Sequence, residues 1–481
     1  MRVLIVGAGF GGIAAAIELR RHGFTDVTIL EAAEDTGGTW HYNSYPGAAC
    51  DVPSHLYSYS FAQRRTWSRL CSPQDEILTY LREVAAEYGV DQLVRTSQRV
   101  RECTFDDARS LWRIRAEDGT PYEAELVVLA TGQLNRPSIP HLPGHERFAG
   151  HSFHSARWDH DYPLAGKRVA VVGTGASAVQ FVPRVAAQAA EVTVYQRTGN
   201  WLLPRENRIY PSWMRAAIRR VGAINWLRRR YLFNYCEALT MAIRHPRTVG
   251  RVLGWRSARF MRSQVSDPAL LEKVIPDYTF GCKRVLFSSH YLPALGRPNV
   301  ELITEAIADI TERGIRTADG QERDADCIIW STGFRASEFV APMRVLGEGG
   351  RELGDAWARG AHAHLGLAVP GFPSLFFMYG PNTNTSGGSI IVYLEAQAAY
   401  IRQAAEHLQS GRFAWVRVRP EVEAASDEET QARFHGTAWT DCDSWYRDGD
   451  GRIVANWPGY MREYLERTRT FDPGDYEFTP S

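Results

Sequence analysis

The sequence predicts an α/β fold of two parallel-sheet units, each wound with helices, and a helical insertion in the second. Three observations carry that expectation. An apolar run that ends in a glycine-rich turn and leads into a helical pattern occurs twice, over residues 2–12 and 168–178. Each copy is followed by a hairpin pattern and then a buried-strand run closing on Thr-Gly, at Thr131-Gly132 and at Thr332-Gly333. Between the second turn and its Thr-Gly, residues 205–280 switch to apolar positions at helical spacing.

The first unit opens with a short buried-strand run over residues 2–6 and turns at Gly7, Gly9 and Gly12. In a strand–turn–helix these glycines serve a tight turn, close approach to a pyrophosphate and close helix-on-strand packing. The helical stretch over 13–22 is closed by Gly23, and its N-terminus offers free N–H groups and a positive dipole end to phosphates. A strand over 27–30 then ends on Glu31, nineteen residues past Gly12, where a carboxylate accepts hydrogen bonds from a ribose diol. Strand, glycines, helix, strand and acid in that order describe a Rossmann-like dinucleotide-binding unit.

The second unit repeats the order with Gly173 and Gly175, then Ala176, Ser177 and Ala178 opening a helix. Its strand over 192–195 ends differently, on Gln196-Arg197-Thr198 with no acid. A carboxylate there would repel a 2′-phosphate, whereas the Arg197 guanidinium can grip it bidentately beside the Thr198 hydroxyl. The chain is therefore expected to hold two Rossmann-like dinucleotide-binding domains, FAD in the first and NADPH in the second. Two such sites in one chain imply electron transfer between the cofactors.

The hairpins, over 112–123 and 315–324, turn at Asp118-Gly119 and Asp319-Gly320. We expect an FAD-binding domain over 1–140 and 334–481, a linker over 141–160, and an NADP-binding domain over 161–333 carrying the insertion at 205–280. Between Arg215 and Arg262 twelve arginines face one acid, Glu237, which predicts a solvated basic helical face, with steering of anionic NADPH or loose contact with an acidic membrane surface as the alternatives.

Bulk properties narrow the function classes. A chain of 481 residues suits two or three packed units, and 44% hydrophobic content with 14 Trp suits a globular enzyme. Charge balance, 55 basic against 55 acidic residues, excludes a whole-protein field that recruits nucleic acid. Seven scattered cysteines (50, 71, 103, 236, 282, 327 and 442) form no CxxC pair. That argues against a metal site, a dithiol redox centre or a disulfide framework, and leaves ordinary thiols of a reducing cytosol as the expectation. The N-terminus shows no basic stretch ahead of a cleavable apolar one, so a cytoplasmic location is expected. No window of about 20 uninterrupted apolar residues exists, so neither a spanning helix nor stable membrane insertion is expected.

Two longer stretches carry the chemistry. Residues 37–51 read Gly-Gly-Thr39-Trp40 through Tyr45-Pro46-Gly47 to Cys50-Asp51, and fit GGxWxxxxYPGxxxD. Residues 148–158 place Phe148, Gly150, His154 and Trp158 in FxGxxxHxxxW. Both resemble fingerprints of the type I Baeyer–Villiger monooxygenases, matching at every specified position. The related flavin-containing monooxygenases usually close the second motif with Tyr or Phe where Trp158 stands.

That resemblance implies roles. Glu31, Thr39, Trp40, Asp51 and Tyr57 would contact FAD, with the Val100 backbone at its adenine. Ala176, Ser177, Ala178, Gln180, Arg197, Thr198 and Lys283 would hold NADPH, with Cys50 and Asp51 near its nicotinamide. Arg284, oriented by Asp51, would be the catalytic cation, favouring a peroxyflavin anion that attacks a ketone to give an ester or lactone. His154 and Trp158 would couple domain motion, and Trp445 would sit in a mobile loop covering the nicotinamide cofactor. The partners implied are a small-molecule ketone and molecular oxygen. Oxygenation of sulfur or nitrogen, as in flavin-containing monooxygenases, is the alternative reading.

Overall fold

The computed structural model describes residues 1–205, 207–385 and 387–480. The strand Val3–Val6 is buried at every position, as a strand covered on both faces must be. It lies at the centre of a five-stranded parallel sheet ordered Leu375–Phe377, Leu126–Leu129, Val3–Val6, Val27–Leu30 and Val94–Arg95. Helices Phe10–Arg21 and Ile390–Gln409 pack together on one face, through Ile13, Ile17, Leu394 and Ile401 among others. Val100–Asp106, Leu111–Ala116 and Pro121–Ala124 form an antiparallel layer over the other, with Trp112 fully buried against Leu375 and Phe377.

A second five-stranded parallel sheet is ordered Val300–Ile303, Glu191–Tyr195, Arg168–Val172, Cys327–Trp330 and His151–His154. The two-unit α/β architecture read from the glycine turns is thus present. One detail differs from expectation: within the predicted linker, His151–His154 is an edge strand of the second sheet. The first sheet has the counterpart, since Leu375–Phe377 pairs with Leu126–Leu129 from far downstream. Each sheet is closed beside its Thr-Gly strand by a segment from outside the contiguous unit.

Local geometry explains the glycine turn. A Cβ at Gly12 would stand 1.9 Å from the Gly7 carbonyl oxygen, so no other residue lets the helix start this close to the strand.

The insertion comprises helices Ser212–Arg220, Gly222–Arg244, Arg251–Gln264 and Pro268–Val274. Its inner side is not solvated. Leu232 and Cys236 join Leu56, Val392, Tyr393 and Met461 in a core cluster of the first unit. Buried Glu237 accepts from the Met461 N–H at 2.7 Å and from Arg462 Nε at 3.2 Å.

The expectation of seven free thiols is corrected at one pair. Cys282 and Cys442, 160 residues apart, form a disulfide, and the other five cysteines are free and buried. Spacing rules detect pairs that are neighbours in sequence, whereas this one arises where two distant loops meet. Among the described residues no helix is long and apolar enough to cross a membrane, and no group of three His, Cys, Asp or Glu could hold a metal ion.

Candidate functional site

Both glycine-rich turns open onto one cavity of about 1480 Å³, lined by Gly7 and Gly9 in one part and by Gly173 and Gly175 in another. A site for a single small ligand occupies about 300–1,000 Å³, so this volume has room for more than one. Helix Phe10–Arg21 starts at Gly9 and helix Ala176–Val185 at Gly175, each with no side-chain cap and no acid in its first turn. Their leading N–H groups and positive dipole ends are therefore left for anionic groups, which fits two pyrophosphates.

The strand ends differ as their sequences require. Glu31 is buried; its Oε2 accepts from Ala8 N at 2.7 Å and its Oε1 from Ala33 N at 2.8 Å. The carboxylate thus braces the glycine turn while lining the cavity, with Val100 close by along the wall. At the other strand end Arg197 is exposed to the cavity and makes no ion pair among the described residues. Lys283 Nζ donates to Thr198 Oγ1 at 3.3 Å and lies 4.8 Å from the Tyr278 ring centre. Burial, followed by the neighbouring Arg197 charge, pushes the Lys283 pKa down. Two cations and a hydroxyl with no paired carboxylate make a site for a dianion such as a 2′-phosphate.

The loop over residues 37–51 joins the two units. Trp40 Nε1 donates to the Tyr57 hydroxyl at 3.1 Å, and burial pushes the Tyr57 phenol up so that it stays neutral. A Cβ at Gly47 would lie 2.8 Å from the Gln180 carbonyl oxygen, so glycine lets the loop sit directly on helix Ala176–Val185. There Gln180 Oε1 accepts from the Tyr45 hydroxyl at 3.0 Å and from Ala49 N at 3.2 Å. Its Nε2 donates to the Ala49 carbonyl at 3.0 Å and lies 3.4 Å from Asp51 Oδ1. Gln180 therefore couples the units as well as lining the cavity.

At the centre Asp51, its side chain 9% exposed, takes two guanidinium groups. Arg205 Nη1 lies 3.1 Å from Oδ1 and Arg284 Nη2 lies 3.2 Å from Oδ2. Arg205 Nη2 also donates to the Cys50 carbonyl at 2.6 Å. Two cations on one carboxylate leave a net positive charge. Arg284, its side chain 45% exposed, presents that charge to the cavity, while Arg205 at 14% is largely covered. Withdrawal from water opposes the charge on Arg284, but the adjacent Asp51 carboxylate and neighbouring polar groups outweigh it and raise the pKa. Burial pushes the Cys50 thiol up, so it is a neutral group rather than a nucleophile. The Tyr446 phenol, raised to about 12 by burial, and that of Tyr379, also raised, are neutral walls near Arg284.

Of the residues singled out in the sequence, Thr39, Ala176 and Ser177 also line this cavity, while Gly12 and Ala178 pack behind it. Trp445 lines it too and lies 4.3 Å from the Tyr446 ring. The Cys282–Cys442 disulfide ties this C-terminal loop to the segment that carries Lys283 and Arg284. The four specified residues of the second motif, Phe148, Gly150, His154 and Trp158, lie outside the lining. His154, 4% exposed, packs its ring 5.8 Å from Phe334 and accepts from Ala156 N at 3.1 Å through Nδ1; burial lowers its pKa to about 4. Trp158 packs against Phe153 and Phe181 at 5.1 and 5.2 Å, and the Phe148 ring lies 2.4 Å from where a Cβ on Gly150 would be.

Sequence reasoning missed Arg205, Arg157 and Tyr379. Arg205 opens an arginine-rich insertion and has no motif to mark it. Arg157 sits inside the second motif at an unspecified position, yet its guanidinium lies 3.7 Å over the Tyr42 ring and it lines the cavity.

Comparison with known proteins adds the following. The family described as "Pyridine nucleotide-disulphide oxidoreductase" matches residues 4–221. A Baeyer-Villiger monooxygenase of Streptomyces coelicolor is 41% identical over 482 residues, covering 99% of this chain and 92% of that protein. One of Pseudomonas aeruginosa is 38% identical over 481 residues, covering 99% and 91%. Among solved structures, an oxidized steroid monooxygenase bound to NADP superposes with a TM-score of 0.89 at 30% identity, covering 100% of this chain and 99% of that one. A closed cyclohexanone monooxygenase superposes with a TM-score of 0.91 at 26% identity, with the same coverage.

Proposed function

The chain belongs to the Baeyer–Villiger monooxygenases, FAD- and NADPH-dependent enzymes that turn a ketone into an ester or lactone, and from that premise we propose how its own residues divide the work. The observation that carries the proposal is the single Asp51 carboxylate shared by Arg205 and Arg284. Gly7, Gly9, Glu31, Thr39, Trp40, Tyr57 and Val100 would hold FAD. Gly173, Gly175, Ala176 and Ser177 would hold NADPH, and Arg197, Thr198 and Lys283 would take its 2′-phosphate. Reduced by NADPH, FAD supplies the two-electron activation of dioxygen. Overall, one oxygen atom enters a carbon–carbon bond of the ketone and the other leaves as water.

Arg284 offers its guanidinium to the cavity, where the attacking oxygen carries negative charge and passes it to the ketone oxygen as the new carbon–oxygen bond forms. A preorganised cation stabilises that charge without reorganising. Asp51 holds the guanidinium through Nη2. Arg205 takes the other carboxylate oxygen, so that Asp51 orients Arg284 without cancelling its charge. The neutral phenols of Tyr57, Tyr379 and Tyr446 exclude water and add no competing anion. The wall formed by Leu239, Ile243, Leu253 and Phe280 favours an apolar ketone.

The test is product analysis. FAD-loaded enzyme with NADPH and oxygen is given a panel of apolar ketones and, separately, a thioether. Ester from at least one ketone supports the reading; sulfoxide with no ester from any ketone returns the site to heteroatom oxygenation.

A further inference from the structure

We propose that the outer face of the helical insertion is a docking surface for an anionic lipid bilayer. Among the described residues, eleven of the thirteen exposed large apolar side chains fall between Ile209 and Trp255. Trp213, Trp226, Leu227, Tyr231, Val252 and Trp255 are each 58–68% exposed. Helical spacing gathers them into stripes: Trp226 and Arg230 are four apart, as are Leu227 and Tyr231, and Val252, Trp255, Arg256 and Arg259 follow at three- and four-residue steps.

The same helices carry the charge. Of the twelve arginines between Arg215 and Arg262 nine are exposed, and none of those nine makes an ion pair among the described residues. Their one acid, Glu237, is buried and held by Arg462. The whole chain is neutral, so this is charge segregated to the exposed sides of the insertion's helices. Arg230 lies 5.7 Å over the Trp226 ring and Arg259 6.0 Å over the Trp255 ring, placing cations at the edge of exposed indoles.

Charge complementarity selects the occupant. A second copy meeting it through the same face would bring the same cations and be repelled. An acidic protein would satisfy the arginines but would give no role to aromatic groups spread over three helices rather than gathered into a pocket. Indole and phenol rings interleaved with arginine suit the headgroup layer of an anionic bilayer, with the helices lying in its plane. The position has a use as well. Helices Gly222–Arg244 and Arg251–Gln264 form the partition between this face and the cavity, which Cys236, Leu239, Ile243 and Leu253 line from behind. Tyr235 is 46% exposed and lines the cavity too, so a solute held in the bilayer meets the cavity wall at the docking face.

The test uses the FAD-loaded full chain in flotation with vesicles of phosphatidylcholine alone or with phosphatidylglycerol added. The unchanged enzyme should float with the anionic vesicles in low salt, be released by high salt, and blue-shift its tryptophan emission on binding. Arg219→Gln, Arg220→Gln and Arg251→Gln should each lower partitioning roughly fivefold, and together about a hundredfold. Trp213→Ala with Trp255→Ala should weaken it further, and turnover of a water-soluble ketone, unchanged in every variant, shows that they fold. Absence of flotation by the unchanged enzyme, or undiminished flotation by the triple arginine variant, overturns the proposal. So does retention on a polyglutamate matrix without flotation, which assigns the face to an acidic protein. Flotation requires no turnover, so this result stands apart from the reaction proposed above.

Discussion

Arg284 Nη2 lies 3.2 Å from Asp51 Oδ2 across 233 residues of chain, and the opposite oxygen of the same carboxylate is taken by Arg205. The carboxylate is thus doubly held and cannot turn toward Arg284 alone. Orientation and residual charge come from one arrangement.

Arg284→Ala should bind FAD and accept hydride from NADPH, because that step creates no oxyanion. Its ester yield should fall by roughly 10²–10³-fold, the cost typical of removing one preorganised oxyanion partner. Arg284→Lys should recover little, since an ammonium has one nitrogen and cannot give one to Asp51 and another to the cavity as the guanidinium does. Stopped-flow flavin spectra with product assay separate the two half-reactions, and normal ester yield from the alanine variant would refute the role.

Arg205→Ala should have a milder effect of a distinct kind. Asp51 would pair with Arg284 alone and neutralise it, lowering ester formation about tenfold while oxygen is still consumed and hydrogen peroxide released. The ratio of peroxide to ester is the readout. An unchanged ratio would reduce Arg205 to a structural tether on the Cys50 carbonyl.

Arg197→Ala should raise the KM for NADPH about ten- to a hundredfold, the scale of a lost charge-assisted contact, and leave NADH kinetics nearly unchanged. Equal losses with both nucleotides would place the 2′-phosphate elsewhere.

Acid stability should follow the buried histidines. Burial lowers His55, His154 and His364 from 6.5 to about 4. Below the ordinary pKa the unfolded chain therefore binds protons that the folded one refuses. Their contribution is intact above pH 6.5 and declines as pH falls toward 4. Tm measured across that window should drop, with a shallower slope for His154→Gln. A parallel curve would show that His154 takes up its proton in the folded protein.

The disulfide makes a separate prediction. Cys442→Ser frees the loop carrying Trp445 from the segment carrying Lys283 and Arg284. The variant should keep its FAD, raise the KM for NADPH and release more peroxide; a matching change in the unaltered enzyme on treatment with a dithiol would identify the tether as the cause.

What the sequence revealed follows physical locality. Gly7, Gly9, Glu31, Gly173 and Arg197 are legible because a phosphate-binding turn and its strand end are built within some thirty residues. Asp51 and Arg284 were reached only by resemblance, for nothing local pairs residues 233 positions apart. Arg205 was invisible: its role depends on where the insertion begins relative to Asp51, and arginine is the commonest charged residue around it. Cys282 and Cys442 were misread for the same reason, since their proximity is made by two loops that the chain brings together late. The motif around His154 was read as a linker because an edge strand of four residues, flanked by turn residues, carries little periodic signal.

The crossed closure of the two sheets bears on how the protein is made. A ribosome delivers Val3–Val6, Val27–Leu30 and Leu126–Leu129 early, but the strand that pairs with the open edge of Leu126–Leu129 is Leu375–Phe377. The second sheet has all its strands by Trp330 and can close first. Until Leu375–Phe377 is made, a fully buried strand edge of the first sheet is unpaired in the nascent chain, which makes it a template for wrong partners. The N-terminal half expressed alone should therefore aggregate, and co-expression with residues 334–481 should restore it to the soluble fraction.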